Sequence, residues 1–177
     1  MDQETLKSLL HYDPETGIIT WLPREETCQQ LKGWNKKHAW KRAGNIGKDG
    51  YEFIIVKRTE YKLHRIAWLY VYGNFPNGPL DHINRDKADN RIRNLRLATT
   101  SLNAHNSAIS KANKSGVKGV SWFKPRNKWQ ALIYWQGKSI FLGTYSDIKD
   151  AEAAYKAASL KYAKEFSIYA TQQQSNL

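Results

Sequence analysis

The chain has one cysteine, Cys28, and one methionine, its first residue. A single thiol excludes an internal disulfide and leaves a thiolate-built zinc site without ligands. No apolar run approaches the roughly 20 residues of a membrane-spanning helix, so no membrane partner is expected. Met1-Asp2-Gln3-Glu4 lacks the basic start and apolar stretch of a signal peptide, so the expected location is the cytoplasm, or a host cell's cytoplasm for a phage-encoded chain. Acidic residues are scarce too: 16 against 28 basic ones, a net charge of +12. Aromatics are not scarce. Seven Trp and ten Tyr exclude a disordered tail, and 177 residues suffice for one medium domain or two small ones.

The positive charge is concentrated in the middle of the chain. Residues 1–30 carry two basic and six acidic residues, 31–145 carry 22 and six, and 146–177 carry four of each. A basic middle between non-basic ends predicts a surface that faces a polyanion. An acidic membrane fits less well, because no long basic amphipathic helix with an aromatic face is visible.

Residues 2–10 read as a short helix, and Tyr12 to Trp21 as a hairpin turning at Pro14-Glu15-Thr16-Gly17. Residues 23–42 are polar and basic without a clear period, and an exposed loop is expected there. Two strands follow, Tyr51 to Val56 and Tyr61 to Leu63, separated by a charged turn at Lys57–Glu60. A helix is predicted from His64 to Tyr72, ended by Gly73 and Pro76. Leu80 to Ile83 and Leu95 to Ala98 are short strands, and Thr100 or Ser101 caps a helix running to about Ile109. Residues 110–116 have linker composition. Three strands (117–123, 128–136, 138–145) and a helix from Asp147 to about Lys164 come next. The expected class is α+β, with domains at 1–109 and 117–166, a linker at 110–116 and a tail at 167–177.

Leu63-His64-Arg65-Ile66-Ala67-Trp68, Leu80-Asp81-His82-Ile83-Asn84, Asn90 to Thr99 and Leu102-Asn103-Ala104-His105-Asn106 occur in that order. The set closely resembles the HNH endonucleases, above all the homing enzymes of phages and introns. The resemblance covers about 1–107, with its core motif over 63–107. It implies a ββα-metal site, a hairpin and a helix gripping one divalent ion. Asp81 matches the carboxylate ligand, His82 the general base and Asn94 the middle Asn that ties the loop. Asn103 matches the second ligand on the helix, with Asn106 one turn further on as its rival. Arg65 opens the preceding helix, where it contacts phosphate or serves structure.

These residue types suit phosphodiester hydrolysis. A neutral imidazole takes a proton from water near neutral pH. A hard cation held by one carboxylate and one amide keeps open positions for phosphate oxygens and water; Mg²⁺ is the expected ion and Mn²⁺ its substitute. Taken singly, His82 reads as a strand histidine bonded to backbone and Asp81 as a turn acceptor; the ordered set makes them catalytic candidates. Strand geometry raises one objection. Neighbours on a regular strand point to opposite faces, so Asp81 and His82 share a cleft only at an irregular strand end or beside a suitably placed helix.

Gly116 to Trp122, Lys128-Trp129-Gln130-Ala131, Phe141 to Tyr145 and Ala151 to Tyr155 resemble the plant ethylene-response-factor (APETALA-type) DNA-binding domain over about 115–164. The resemblance implies a three-stranded sheet lying in the major groove with a helix behind it. Alternation turns Val120, Trp129, Ala131, Ile133 and Leu142 toward the helix. Lys118, Ser121, Phe123, Lys128, Gln130, Tyr134, Ser139 and Phe141 then face outward, with Lys124, Arg126 and Lys138 near the rim. Ser121, Phe123, Tyr134 and Ser139 stand where plant members carry Arg, so the plant target sequence does not carry over. Together the two resemblances imply a DNA-nicking enzyme on double-stranded DNA, a monomer or weak dimer there, leaving 5′-phosphate and 3′-hydroxyl. The alternative is a non-cleaving, sequence-specific DNA-binding regulator.

Overall fold

A computed structural model describes residues 1–170 of this α+β chain and divides it after Leu97 into two compact units. The first unit opens with α1 (Gln3–Leu9), where the Asp2 carboxylate caps the helix by accepting from the Thr5 amide at 2.7 Å. β1 (Leu10–Tyr12) and β2 (Ile19–Trp21) pair antiparallel, Leu10 opposite Trp21. Asp13 fixes their turn by accepting from the Glu15 amide at 2.9 Å and the Thr16 hydroxyl at 2.7 Å. Gly17 closes it at φ +73°, where a Cβ would stand 2.5 Å from the Arg91 nitrogen. Only glycine lets this hairpin press on the 90–91 backbone.

Part of the loop expected at 23–42 is instead a helix, α2 (Gln29–His38). Leu31, Trp34, Asn35 and His38, at i, i+3, i+4 and i+7, form its half-buried face. Trp34 packs edge-on against Trp21 at 5.5 Å and under the Arg24 guanidinium at 3.8 Å. The Asn35 amide exchanges two 2.8 Å hydrogen bonds with the Arg24 backbone. Asn and His hold two of the four inner positions, so no hydrophobic period shows in the sequence.

β3 (Asn45–Ile46), β4 (Glu52–Val56) and β5 (Thr59–Lys62) form an antiparallel sheet in that order. Lys57 and Arg58 turn the last hairpin with φ of 49° and 66°, so two residues do the work of the four expected. α3 (Leu63–Tyr72) packs Leu63, Ile66, Ala67 and Leu69 against Leu6, Leu10, Tyr12, Ile19 and Ile54. Each such aliphatic burial is worth about 1.5–3 kcal/mol before entropy is subtracted. Gly73 ends α3 at φ 81°, its amide donating to the Leu69 carbonyl. β6 (Leu80–His82) and β7 (Leu95–Leu97) complete the unit as a two-stranded antiparallel hairpin.

The second unit starts with α4 (Thr100–Asn106), capped by the Thr99 hydroxyl and ending before the expected Ile109. Its boundary therefore precedes the one expected near residue 109. The cause is Lys118, whose ammonium donates to the carbonyls of Ala104 at 2.8 Å, His105 at 3.1 Å and Ser107 at 2.6 Å. The His105 ring also packs on Trp135 at 5.6 Å. Nor are residues 110–116 an open linker. Asn113 accepts from the Ser115 and Gly116 amides, and the Ser115 hydroxyl donates to the Val120 carbonyl at 2.7 Å.

β8 (Val120–Phe123), β9 (Lys128–Trp135) and β10 (Lys138–Tyr145) form an antiparallel sheet with β9 central. α5 (Ile148–Ala163), capped by Asp147, lies on one face of it. Val120, Ala131 and Ile133 meet Ala151, Tyr155 and Ala158 there, and Ile168 and Tyr169 close the same core. The tail expected at 167–177 thus contributes core residues; its last seven positions lie outside the described residues. At Gly119, φ +71°, a Cβ would fall 2.0 Å from the Tyr155 ring, so glycine is what lets sheet and helix close.

Candidate active site

The β6–β7 hairpin carries the candidate site of the first unit, and the loop between its strands is tied at several points. The Asn94 side-chain oxygen accepts from the Asn84 amide at 3.0 Å, and its NH₂ donates to the Asp89 carbonyl at 2.8 Å. The Ile83 amide donates to the Asn94 carbonyl at 2.9 Å. Asp89 accepts from the Arg91 guanidinium and from the Asn84 side chain, and the Arg91 bonds hold its carboxyl below the usual range. Asn90 is 1% exposed and donates to the buried Glu52 carboxylate at 2.8 Å.

His82 ends β6 and is 4% exposed. Its ring stands edge-on to His64 at 5.2 Å and tilted to Tyr51 at 5.8 Å, while Tyr51 and His64 lie 5.2 Å apart. α3, β6 and the residue that precedes β4 therefore converge in a ring cluster. Burial pushes the His82 imidazole below its ordinary value, with hydrogen bonding to Asn90 and the Asp81, Asp86 and Asp89 charges acting the other way. Burial and the neighbouring His82 push His64 down to about 3. Both rings are thus neutral at neutral pH. A neutral His82 is the form that can accept a proton.

Asp81 is also 4% exposed, and its carboxylate meets Arg96, directly opposite on β7, at 2.9 Å from Nε and 2.7 Å from Nη2. The two strands pair regularly through Asp81 and His82, and the side chains diverge as alternation requires: Asp81 to Arg96, His82 to the ring cluster. Among the described residues no group of three or more His, Cys, Asp or Glu is gathered to hold a metal.

Residues 61–105 match the HNH endonuclease family. The chain is 37% identical over 76 residues to "Protein 3.8" of Escherichia phage T7, spanning 42% of this chain and 63% of that protein. It is 34% identical over 94 residues to an uncharacterized HNH endonuclease of Acanthamoeba polyphaga mimivirus, spanning 52% of this chain and 47% of that one. It thus spans between about half and two thirds of the length of these relatives. Among solved structures, the HNH homing endonuclease I-HmuI aligns with 85% of this chain and 79% of its own, at 20% identity and a TM-score of 0.42.

In the second unit, Asn103 is half-buried on α4, whereas Asn106 is 2% exposed. In the first, Arg65 donates to the backbone carbonyls of Pro76 and Gly78, both at 3.4 Å. Lys118 departs from its expected outward position: its ammonium is spent on the carbonyls that end α4. Ser121, Phe123, Lys128, Gln130, Tyr134, Ser139 and Phe141 share one sheet face by register, Ser121 opposite Gln130, Phe123 opposite Lys128 and Ser139 opposite Tyr134. Tyr134 is 60% and Phe141 56% exposed, and Lys124, Arg126 and Lys138 are exposed at the ends of the strands. Sequence reasoning missed Arg96, Tyr51 and the burial of His64. Arg96 could have been found by pairing the two predicted strands, which sets it across from Asp81.

Proposed function

We propose that this chain is a divalent-metal-dependent DNA endonuclease of the homing type, with His82 as general base and Asp81 and Asn103 as the ion's protein ligands. One observation carries the reading. A buried, neutral His82 directly follows Asp81 in the chain on β6, inside the segment that matches the HNH endonucleases. Water loses its proton to His82 as it attacks phosphorus, the bond to the 3′-oxygen breaks, that oxygen takes a proton from solvent water, and 5′-phosphate and 3′-hydroxyl ends remain. A bound Mg²⁺, or Mn²⁺ in its place, would supply charge neutralisation at the phosphate. Asn94 and Asn90 keep the loop in the shape that presents His82.

One set of these residues makes one cut, so the elementary event is a nick by a monomer or a weak dimer on DNA. The outer face of β8–β10 supplies affinity and placement on double-stranded DNA. This rests on the resemblance of 115–164 to the plant ethylene-response-factor domain and on the exposed Tyr134 and Phe141 among basic residues. The domain scheme keeps a nuclease part and a DNA-placing part, with Asn103 on the helix that Lys118 caps.

The deciding experiment incubates supercoiled and genomic DNA with the purified chain in Mg²⁺ or EDTA and maps the ends. Nicks that need the ion are expected. Binding without metal-dependent nicking would make the chain a non-cleaving DNA-binding regulator instead. Asn103→Ala should raise the Mg²⁺ needed for cleavage, while Asn106→Ala, at a buried position, should lower thermal stability and leave that requirement alone. The reverse pattern would move the helix ligand to Asn106.

A further inference from the structure

We propose that α2 and the segment after it form a second DNA-contacting surface, on the nuclease unit itself, with Trp40 as its apolar contact. The proposal rests on the endonuclease reading and adds a surface that neither the His82 site nor the β8–β10 sheet includes. From Cys28 to Lys48 there are six Lys or Arg residues and no Asp or Glu. The inner face of α2 is spent on Trp21 and Arg24, which leaves Lys32, Lys36 and Lys37 exposed on the outer one. Lys41 and Lys48 are exposed as well. Glu52 neutralises Arg42 and Glu26 accepts from Asn35, which leaves five exposed lysines in excess, a patch that complements a phosphate backbone.

Trp40 adds what a merely solvated basic face lacks. It is 65% exposed, the most exposed tryptophan among the described residues, and its φ is +63°. A bulky aromatic residue rarely adopts that conformation, because its Cβ crowds the backbone. The backbone around it is nonetheless firmly held. The Trp40 amide donates to the Trp21 carbonyl at 2.7 Å, the Trp21 amide to Lys41 at 3.1 Å and the Ala43 amide to Ile19 at 2.7 Å. The fold thus fixes an unfavourable backbone and leaves most of the indole in water. An indole fixed between lysines matches DNA, where apolar base and sugar surfaces alternate with phosphates.

The surface is also braced to the site. Arg42, inside the segment, pairs with Glu52, and the other Glu52 oxygen accepts from Asn90 in the loop that follows His82. DNA held at α2 would therefore be held rigidly with respect to that loop.

The test measures binding of the full chain to a short mixed-sequence duplex across a salt series in EDTA, which prevents cutting, with nicking in Mg²⁺ assayed in parallel. Replacing Lys32, Lys36 and Lys37 together by Gln should lower the salt slope by about two to three units. Trp40→Asn should leave the slope unchanged and weaken binding about tenfold. Its thermal midpoint should match or exceed the wild type, since Asn tolerates the left-handed backbone. Trp40→Phe should bind nearly as the wild type does. If the wild type nicks DNA while the Lys and Asn variants bind with its slope and affinity, the surface is overturned and the nuclease reading stands. If no divalent ion supports nicking by the wild type, yet the Gln variant loses slope, the nuclease reading fails and the surface stands.

Discussion

The two units bury different things. The first encloses Glu52, His64, Asp81, His82, Asn90 and Asn94, most of them joined in pairs or in the ring cluster. The second closes mainly on Val120, Ala131, Ile133, Ala151, Tyr155 and Ala158, buries His105 and Asn106 at the end of α4 and a bonded pair of serines, Ser159 and Ser167, and leaves Tyr134 and Phe141 in water. Chemistry requires charge and proton acceptors taken out of water, where their interactions are strong. Recognition of a large polyanion requires the reverse, an accessible face over an inert core. The contrast implies that substitutions in the first unit should change rate and stability, and those on the outer sheet of the second should change binding alone.

The largest break in that contrast should come from His82→Ala. Nicking should fall ~10²–10⁴-fold, the usual worth of a positioned base, with duplex binding in EDTA unchanged. Single-turnover nicking at the wild-type rate by the purified variant would remove His82 from the mechanism. Arg96→Leu comes next. It removes the guanidinium from a buried carboxylate, so urea unfolding should show a loss of about 3 kcal/mol. Millimolar Mg²⁺ should restore part of that loss in the variant, because a cation on Asp81 replaces the guanidinium. Equal unfolding with and without Mg²⁺ would argue against Asp81 as a ligand.

Acid should act on the first unit more than on the sheet. With its pKa lowered to about 3 in the folded chain, against 6.5 in the unfolded one, His64 takes up its proton only on unfolding over that interval. Stability is therefore full above pH 6.5 and falls toward pH 3, by up to about 1.4 kcal/mol per pH unit from this residue. His82 contributes with the same sign. His64→Phe should flatten the slope between pH 6 and 4, read from urea midpoints; an unchanged slope would place the acid sensitivity elsewhere. The acid limb of nicking should likewise lie below the ordinary imidazole range, because burial holds His82 below its usual value. The smallest effect expected is on the sheet. Tyr134→Ala and Phe141→Ala should each weaken DNA binding by about 1 kcal/mol and, at exposed positions, leave the unfolding midpoint within error. Loss of stability without loss of binding would make the two side chains structural.

Much of this was legible because local rules suffice for it. The β1–β2 hairpin announces itself in Pro14-Glu15-Thr16-Gly17, α3 in the spacing of Ile66 and Leu69, and the outer sheet face in the alternation from Lys128 to Tyr134. What stayed hidden depends on partners distant in the chain or unusual in type. α2 escapes because Asn35 and His38 occupy its inner face, held by the Arg24 backbone and by Trp34. The ion pair on Asp81 requires the register that sets Arg96 across from it. The ring cluster gathers residues 51, 64 and 82 from three places in the chain, and no local pattern links them. Lys118 reads as one more outward lysine until the end of α4 is seen to need a donor.

That last contact bears on how chains of this kind can be recombined. A two-turn helix has little stability of its own, and α4 receives the donors for its closing carbonyls from a lysine at the threshold of the sheet. The low-complexity stretch at 110–116 looks like the natural place to cut and splice. A chimera joined there would part Asn103's helix from Lys118, whereas one joined between Leu97 and Ala98 would carry helix, lysine and sheet across as one piece. In this chain the transferable module includes a fragment of the proposed catalytic apparatus, so exchanging target preference and preserving catalysis are one engineering problem.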